Sequence, residues 1–495
     1  MSGACRTRRR GVERGAVPSD VPTVNARPAV AGGVAGDEVS LYEIRRKIHP
    51  RAVTGAFASA RVGLVLATQI VFYGLPWLNW NGRQAVLFDL AARKFYVFGL
   101  VFWPQDVIYL AVLLILCALA LFLFTAVAGR LWCGYACPQT VYTEIFLWVE
   151  RKIEGDRLAR IRLDGAPWSL EKFVLKALKH TAWLTIALWT GYTFVGYFTP
   201  IEDLGVRAIT WDLGGWEGFW VLFYAFATYG NAGWMREQVC KHMCPYARFQ
   251  SVMFDKDTLV IAYDAKRGEP RGARRRNADL ATLGIGDCVD CNICVQVCPT
   301  GIDIRDGLQH ECIGCAACVD GCNRVMDRIG YPRGLIRYTS QNALAEGHGT
   351  RMLWRRALRP RSMIYAALLV GIAGAAAVAL ASRNPLKVDV MRDRGALARE
   401  AAPEVIENVY RLQVMNTDET PRRLRIDAAG LPGLAVIGVE QPLDMAAGAS
   451  RLVPLRLQAP QQSAPPGSHA IEVIVTDERD PAISRHEKAT FILPR

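Results

Sequence analysis

The sequence predicts a multi-domain membrane protein that combines an α-helical transmembrane bundle, a cysteine-rich domain and a C-terminal all-β domain. Three observations support this fold class. Several apolar stretches are long enough to cross a bilayer, eight of the 14 cysteines lie between Cys288 and Cys322, and short alternating β-type runs fill the last part of the chain. Hydrophobic residues make up 51% of the chain while charged residues reach 21%, which favours membrane spans separated by soluble segments.

The transmembrane bundle is predicted from apolar segments of about 20 residues, the length of helix that crosses a bilayer. Five segments qualify: Ala56–Leu75, Val107–Ala128, Thr181–Thr199, Gly218–Met235 and Ser362–Ala381. Basic residues crowd the segments before the first span, between the second and third spans, and before the fifth span. By the positive-inside rule, this pattern predicts a multi-pass protein of the bacterial inner membrane with a cytoplasmic N-terminus and a periplasmic C-terminus.

The spans divide the chain into five parts. Residues 1–40 are predicted to form a disordered basic tail, because they contain Arg8–Arg10 and no apolar core. The remaining parts are a membrane domain with four spans at 41–255, a cytoplasmic cysteine-rich domain at 256–350, the fifth transmembrane helix at 351–383 and a periplasmic domain at 384–495.

The cysteine-rich domain contains two runs of the spacing C-x2-C-x2-C-x3-C. In ferredoxins, three thiolates of such a run hold one [4Fe–4S] cluster and the fourth holds the other cluster. The sequence therefore predicts a ferredoxin-like domain with two [4Fe–4S] clusters, the first bound by Cys288, Cys291, Cys294 and Cys322, and the second by Cys298, Cys312, Cys315 and Cys318. Zinc is disfavoured because zinc ribbons use separated cysteine pairs. Asn323 stands where many ferredoxins have proline, so the sequence does not decide whether a turn follows Cys322.

A second motif, C-x3-C-P, occurs after the second and fourth predicted spans, at Cys133–Pro138 and Cys240–Pro245. On a helix, residues i and i+4 face one side, and proline fits a helix break at the membrane edge. The motif cysteines are candidates for a further cluster, for copper as Cu(I), or for thiol–disulfide cycling. They are Cys133, Cys137, Cys240 and Cys244. The simpler alternative is that these four cysteines are small buried residues at helix ends and bind nothing. His242 and Met243 are further candidate soft ligands, although packing or solvent exposure is their commoner role.

The outer domain shows β-type runs separated by turn signals such as Pro432-Gly433 and Pro465-Pro466-Gly467. The runs are Val409–Met415, Arg423–Ile426, Ala435–Val439, Leu452–Leu457, Ala470–Thr476 and Lys488–Leu493. This spacing predicts an immunoglobulin-like β-sandwich. Because the sandwich offers no metal-binding or nucleophilic constellation, we expect it to contact another protein or to act as a structural cap.

The run C-x3-C-P-Q-T-V-Y-T-E at Cys133–Glu144 resembles the FixG/RdxA/CcoG family, as do Cys240–Phe249, the paired ferredoxin runs and Tyr331–Tyr338. The resemblance extends from about Leu41 to the end of the chain. It implies an accessory role in building a cbb3-type cytochrome c oxidase, as a cupric reductase that supplies Cu(I). By position, it assigns copper reduction to Cys133, Cys137, Cys240 and Cys244, and cluster binding to the eight ferredoxin cysteines.

Two other functions stay open on the sequence. One is a membrane electron-transfer conduit between a quinol and a partner enzyme, as in the similar NapH-type ferredoxins. The other is a copper-holding assembly scaffold without reductase activity. The outer sandwich argues against a plain conduit, which does not need it. Expected partners are a cytoplasmic electron donor, copper ions, and oxidase subunits or copper chaperones; nucleic acid is not expected, and a homodimer is left open.

Overall fold

The chain forms a layer of long helices with the cysteine-rich domain at one end and a β-sandwich at the other. The computed structural model describes residues 47–274, 284–346, 359–393, 395 and 398–494. The predicted basic tail at 1–40 lies outside these residues. The long helices are α1 (Ala56–Gly74), α2 (Val107–Ala128), α6 (Leu170–Val195), α8 (Gly215–Thr228) and α14 (Pro360–Ala381).

Within the described residues, three helical stretches are long and apolar enough to cross a membrane. They are Ala56–Trp77, Pro104–Ala128 and Pro360–Ala381, and they contain the first, second and fifth predicted spans. Their side chains are mostly exposed on the surface of the chain, as expected for helices that face lipid. The helical stretches therefore support a membrane protein.

The third and fourth predicted spans are helical but differ from these three. Helix α6 has 26 residues, and its first turns carry the buried cations Lys172 and Lys179. Helix α8 has only 14 residues and continues as a π-helical segment, Tyr229–Met235. The two helices pack closely, because a Cβ on Gly191 of α6 would lie 2.2 Å from the Val221 carbonyl oxygen of α8. Helix α6 is as long as the other three but less apolar, and helix α8 is shorter than all of them.

Shorter helices surround the two C-x3-C-P motifs and the ferredoxin cysteines. Between the long helices lie α3 (Leu131–Tyr135), α4 (Pro138–Glu154), α5 (Arg157–Gly165), α7 (Ile201–Ile209) and α9 (Pro245–Met253). The cysteine-rich domain contains α10 (Ala265–Gly268), α11 (Ile293–Gln296), α12 (Ala317–Ile329), α13 (Gln341–Glu346) and the antiparallel strands β6 (Val260–Tyr263) and β7 (Ile336–Thr339).

A buried ionic network holds the two C-x3-C-P segments together. Glu150 of α4 pairs at 2.9 Å with Arg160 of α5 and at 2.8 Å with Arg236, four residues before Cys240. Glu150 is only 1% exposed, so its charge depends on these cations for stabilisation. Because α4 begins directly after Cys137, this network fixes the first motif relative to the second.

The outer layer combines two small sheets with the β-sandwich. The small sheets contain β1 (Asn79–Trp80), β2 (Arg83–Gln84), β3 (Val86–Asp89), β4 (Lys94–Val97) and β5 (Leu100–Phe102). The sandwich contains β8 (Leu386–Arg392), β9 (Arg399–Ala402), β10 (Val405–Asn416), β11 (Arg422–Ala429), β12 (Ala435–Ile437), β13 (Leu443–Met445), β14 (Ser450–Pro460), β15 (Gly467–Asp477) and β16 (Ser484–Leu493).

The sandwich confirms the predicted all-β domain. One sheet has the order β12-β14-β10-β8, with β9 beside β10, and the other has the order β13-β11-β15-β16. Side chains alternate between core and surface along β15, and the core includes Leu412, Leu455, Val473 and Phe491. The six predicted runs overlap β10, β11, β12, β14, β15 and β16, whereas β8, β9 and β13 were not predicted.

Ion pairs attach the sandwich to the end of the helical layer. Asp106, immediately before α2, pairs with Arg383 at 2.8 Å and with Lys387. Arg83 of β2 pairs with Glu419 at 2.5 Å. The cysteine-rich domain contacts the opposite ends of α1 and α2, so the two extramembrane parts lie at opposite ends of the helices.

Candidate electron-transfer site

The first group of ferredoxin cysteines lines one cavity of the cysteine-rich domain. Cys288, Cys291, Cys294 and Cys322 share it with Tyr263, Arg305 and several apolar side chains. These are the four cysteines that the crossed pairing assigns to the first cluster. Cys291 is exposed, whereas the other three are buried. We call this cavity cluster site I.

The second group lines a neighbouring cavity, which we call cluster site II. Its thiols are Cys298, Cys312, Cys315 and Cys318, and Cys294 lies on the wall that the two cavities share. Apolar side chains such as Ile261, Ile302 and Ile313 form the rest of the lining. Three cysteines of one run and the fourth cysteine of the other therefore surround each cavity.

The thiol linings fit [4Fe–4S] clusters better than single metal ions. Among the described residues, no three His, Cys, Asp or Glu side chains are placed to hold one ion. A [4Fe–4S] cluster takes one cysteine on each of its four irons, which spreads the thiolates around the cofactor. Burial raises the pKa of Cys294, Cys312 and Cys322 to about 12, so cluster binding must displace thiol protons there.

Cluster site I has a cation that carboxylates neutralise. The Arg305 guanidinium lies 2.6 Å from Asp290 and 2.6 Å from Asp303, and its side chain is 4% exposed. Arg305 opposes the effect of burial on the pKa of Cys294, and Asp303 reinforces that effect. The charge beside site I is therefore balanced by side chains of the cysteine-rich domain itself.

Cluster site II takes its cations from the membrane part of the chain. Arg130 donates hydrogen bonds to the carbonyl oxygens of His310 and Ala247, and within the described residues it forms no ion pair within 4.0 Å. Arg61 of α1 donates to the Cys315 carbonyl oxygen at 3.2 Å, with Glu144 3.8 Å away. Both arginines are buried, so site II lies beside positive charge that is less fully neutralised than at site I.

The C-x3-C-P motifs each span two helical segments, which differs from the single-helix arrangement that we expected. Cys133 lies on α3, and Cys137 is the N-cap of α4. Cys240 lies on a π-helical turn, and Cys244 is the N-cap of α9. The proline after each motif begins the next helix, because its missing N–H and fixed φ suit the first helical position.

The four motif cysteines, which we call the membrane quartet, converge beside cluster site II. Cys133 and Cys240 pack against a core that contains Ile313 and Cys315. Burial raises the pKa of the Cys133 thiol to about 12, the thiolates of Cys137, Cys240 and Cys244 raise it further, and Arg130 lowers it. Burial also raises the pKa of Cys240, to about 11, with Cys137, Cys244 and Glu237 raising it further and Arg130 lowering it.

Two glycines allow the first motif to reach the cysteine-rich domain. A Cβ on Gly134 would lie 2.8 Å from the Ile313 carbonyl oxygen and 2.9 Å from the backbone nitrogen of Cys315. A Cβ on Gly314, which has a φ of +70°, would lie 3.1 Å from the Arg130 carbonyl oxygen. Backbone therefore contacts backbone where the quartet meets site II.

Other sequence-selected residues have more ordinary surroundings. His242 and Met243 are exposed. Asn323 continues α12, and its side-chain oxygen accepts a hydrogen bond from the Gly334 N–H at 3.0 Å, so no turn follows Cys322. Cys117 is exposed in the middle of α2.

Sequence reasoning missed several residues of this junction. Arg61 could have been found, because an ionisable side chain inside a predicted apolar span marks a functional or packing site. Arg130, Gly134 and Gln250 have no such signal. Gln250 is fully buried, and its side-chain oxygen accepts the Cys133 thiol at 3.5 Å.

Comparison with known proteins gives three matches to family models. A "4Fe-4S dicluster domain" matches residues 235–341, a "4Fe-4S binding domain" matches residues 110–155, and an "IG-like fold at C-terminal of FixG" matches residues 376–494. The two iron–sulfur models include both C-x3-C-P motifs as well as the ferredoxin cysteines.

Three curated proteins illustrate the similarity. RdxA of Cereibacter sphaeroides is 41% identical over 440 residues, which cover 86% of this chain and 92% of RdxA. The nitrogen fixation protein FixG of Rhizobium meliloti is 38% identical over 446 residues, or 84% of this chain and 85% of FixG. The ferredoxin-type protein NapH of Haemophilus influenzae is 25% identical over 214 residues, or 40% of this chain and 62% of NapH.

Proposed function

This chain belongs to the FixG/RdxA family as a membrane-associated 4Fe–4S electron-transfer protein, and from that premise we propose that it reduces Cu(II) to Cu(I). In this proposal the Cu(I) serves assembly of the copper centre of a cbb3-type cytochrome c oxidase. In this proposal the ferredoxin cysteines hold two [4Fe–4S] clusters in the crossed pairing, which is supported by the grouping of four thiols around each of the two cavities. The membrane quartet is the place where copper receives its electron.

The observation that carries this proposal is the contact between the quartet and cluster site II. Cys133 and Cys240 pack against the core around Cys315, and Gly134 lets the two backbones touch. A pair of thiol motifs so close to a cluster site favours electron exchange between them, because proximity is what the protein contributes to such a step.

The chemistry requires one electron for each copper ion. When bound, the clusters supply electrons one at a time. Cu(II) prefers nitrogen and oxygen ligands, whereas Cu(I) prefers thiolates, so a thiolate-rich site stabilises the reduced product. The quartet can serve this reduction by holding copper, by holding a further cofactor or by cycling between thiols and a disulfide.

The electron donor in this proposal is cytoplasmic and docks beside Cys291, the exposed cysteine of cluster site I. The outer sandwich, at the other end of the helices, contacts an oxidase subunit or a copper chaperone in the periplasm. This orientation follows from the basic loops, which favour a cytoplasmic N-terminus and ferredoxin domain.

The test is anaerobic. The purified full-length protein is reduced, Cu(II) is added, and cluster absorbance is followed together with a Cu(I)-specific chelator. We expect the clusters to reoxidise in step with the appearance of Cu(I). A variant with all four quartet cysteines changed to serine is expected to keep the ferredoxin clusters and to lose this coupling. Reduced clusters that stay reduced after Cu(II) is added would contradict the proposal.

The second candidate function is an electron-transfer conduit, which the similarity to the NapH of Haemophilus influenzae favours. A conduit would pass electrons between a quinol and a partner enzyme and would leave Cu(II) unchanged. The same reduced protein can therefore be offered a water-soluble quinone instead of Cu(II). Reoxidation by the quinone alone would select the conduit.

A further inference from the structure

We propose that the membrane quartet, Cys133, Cys137, Cys240 and Cys244, holds a third [4Fe–4S] cluster. This inference rests on the proposed function only in placing electron transfer at the quartet, and it names the resident group of that site. It would extend the series of clusters from the cysteine-rich domain to the membrane boundary.

The count of cysteines leads to this inference. The two cavities of the cysteine-rich domain use all eight ferredoxin cysteines. The 4Fe–4S binding model at residues 110–155 matches a different segment, whose cysteines are Cys117, Cys133 and Cys137. Cys117 lies in the middle of α2, two turns or more from the end of that helix, which leaves this segment with two usable ligands out of the four that a cluster needs.

The tertiary structure supplies the other two cysteines. Cys240 and Cys244 arrive from a segment more than 100 residues away, and Cys133 lies within electrostatic range of Cys137, Cys240 and Cys244. No three of these thiols are placed to hold one ion together, and the same is true of the described thiols around sites I and II. This spread suits a cluster, which places each cysteine on a different iron.

Backbone groups beside the quartet favour thiolate sulfur at Cys137. Cys137 holds the N-cap position of α4, and the N–H groups of Gln139 and Thr140 lower the pKa of its thiol against the larger, raising effect of burial. Cys244 holds the N-cap position of α9 after the same C-x3-C-P turn. Hydrogen bonds and helix N-termini that face sulfur favour its anionic, metal-bound form.

The charge of Arg130 is compatible with a cluster at the quartet as well as one at site II. Arg130 is 5% exposed, its Nε has no hydrogen-bond partner among the described residues, and it acts electrostatically on both Cys133 and Cys240. A buried guanidinium is costly unless negative charge lies nearby. A [4Fe–4S] cluster with four thiolates carries net negative charge, so a cluster at the quartet would share Arg130 with the cluster at site II.

The experiment counts iron and acid-labile sulfide in the anaerobically reconstituted full-length protein. Three clusters give about twelve irons per chain and two clusters give about eight. We expect about twelve, with about one third of the iron lost when the quartet is changed to serine. The Cys117→Ser variant is the matched control, because it removes a membrane cysteine outside the quartet and should keep all of the iron.

A second measurement guards against a quartet variant that does not fold. The wild-type protein is enriched in iron-57 for Mössbauer spectroscopy. The total intensity of its [4Fe–4S] signals should be about 1.5 times that expected for two clusters per chain. About eight irons in the wild type, or full iron in a folded quartet variant, would overturn the third cluster. If that variant keeps its iron and loses Cu(II) reduction, copper reduction at the quartet stands and the third cluster fails. If it loses one third of the iron and still reduces Cu(II), the third cluster stands and copper reduction at the quartet fails.

Discussion

The two cluster sites of the cysteine-rich domain have the same ligands and different surroundings. At site I the cation Arg305 is paired with Asp290 and Asp303, which belong to the same domain. At site II the cations are Arg61 and Arg130, which come from the membrane part of the chain. The ferredoxin spacing is therefore repeated, but the electrostatic environment is not.

This difference suggests a direction for electron flow. A reduced cluster carries one more negative charge than an oxidised cluster, so nearby positive charge raises the reduction potential. Burial lowers the reduction potential at site II, because a low dielectric disfavours the more charged, reduced state. The weakly neutralised arginines offset that penalty, whereas site I has an exposed cysteine for electron entry. We expect electrons to move from site I towards site II.

The largest effect is expected from Gly134→Ala, which breaks the contact between the quartet and site II. The added Cβ would lie within 3.0 Å of backbone atoms of Ile313 and Cys315, which cannot move without displacing the site. We expect Cu(II) reduction to fall about a hundredfold while the ferredoxin clusters remain, since small displacements of reacting groups have effects of that size. Stopped-flow absorbance of the reduced protein measures this rate.

The matched control for that change is Gly63→Ala in α1, where an added Cβ meets nothing within 4 Å. It should reduce Cu(II) at the rate of the unmodified protein. An unchanged rate in the Gly134→Ala protein would show that close approach of the two backbones does not govern the step.

The next effect is expected from Arg130→Gln, which removes the cation beside site II. The potential of cluster II should fall by about 60 mV, equivalent to a tenfold change for a one-electron couple, while cluster I keeps its potential. Redox titration followed by electron paramagnetic resonance measures both values. Arg333→Gln, at a guanidinium that is 69% exposed, is the control and should change neither potential. Equal shifts of both clusters would remove the distinction between the sites.

A smaller effect is expected when the paired charges at site I are removed together. Arg305→Gln alone leaves Asp290 and Asp303 without their cation, and the potential of cluster I should fall. Combining it with Asp303→Asn removes one negative charge as well, so the net shift should stay below about 30 mV. A double variant that shifts cluster I as far as Arg130→Gln shifts cluster II would contradict the idea that site I is internally neutralised.

The smallest effect is expected from Tyr338→Phe, which removes one hydrogen bond to the site II loop. The Tyr338 hydroxyl donates to the Gly314 carbonyl oxygen at 2.5 Å. Its loss should cost about 1 kcal/mol of stability, a typical value for one hydrogen bond. The temperature at which cluster absorbance is lost should fall slightly, and both potentials should stay as they were. Tyr331→Phe serves as the control, and a large change in either potential would show that Tyr338 acts on the cluster directly.

The C-x3-C-P motifs show how a local rule can mislead about local structure. The i, i+4 spacing predicts two cysteines on one face of a helix, but each motif turns between its cysteines. Proline was expected to break a helix, and it begins α4 and α9 instead. The fixed φ of proline is compatible with ending one helix and with beginning the next. The sequence alone does not decide between these two roles.

The sequence by itself determined the features that depend on neighbours along the chain. Ferredoxin spacing, the apolar lengths of α1, α2 and α14, and the alternation of the sandwich strands can all be read within short windows. Only the tertiary structure decided which distant segments meet. Arg130 contacts the His310 carbonyl oxygen across 180 residues, and Gly134 contacts Cys315 across a similar distance. No local pattern encodes such contacts, because they depend on how α4, α5 and the segment before Cys240 pack around Glu150.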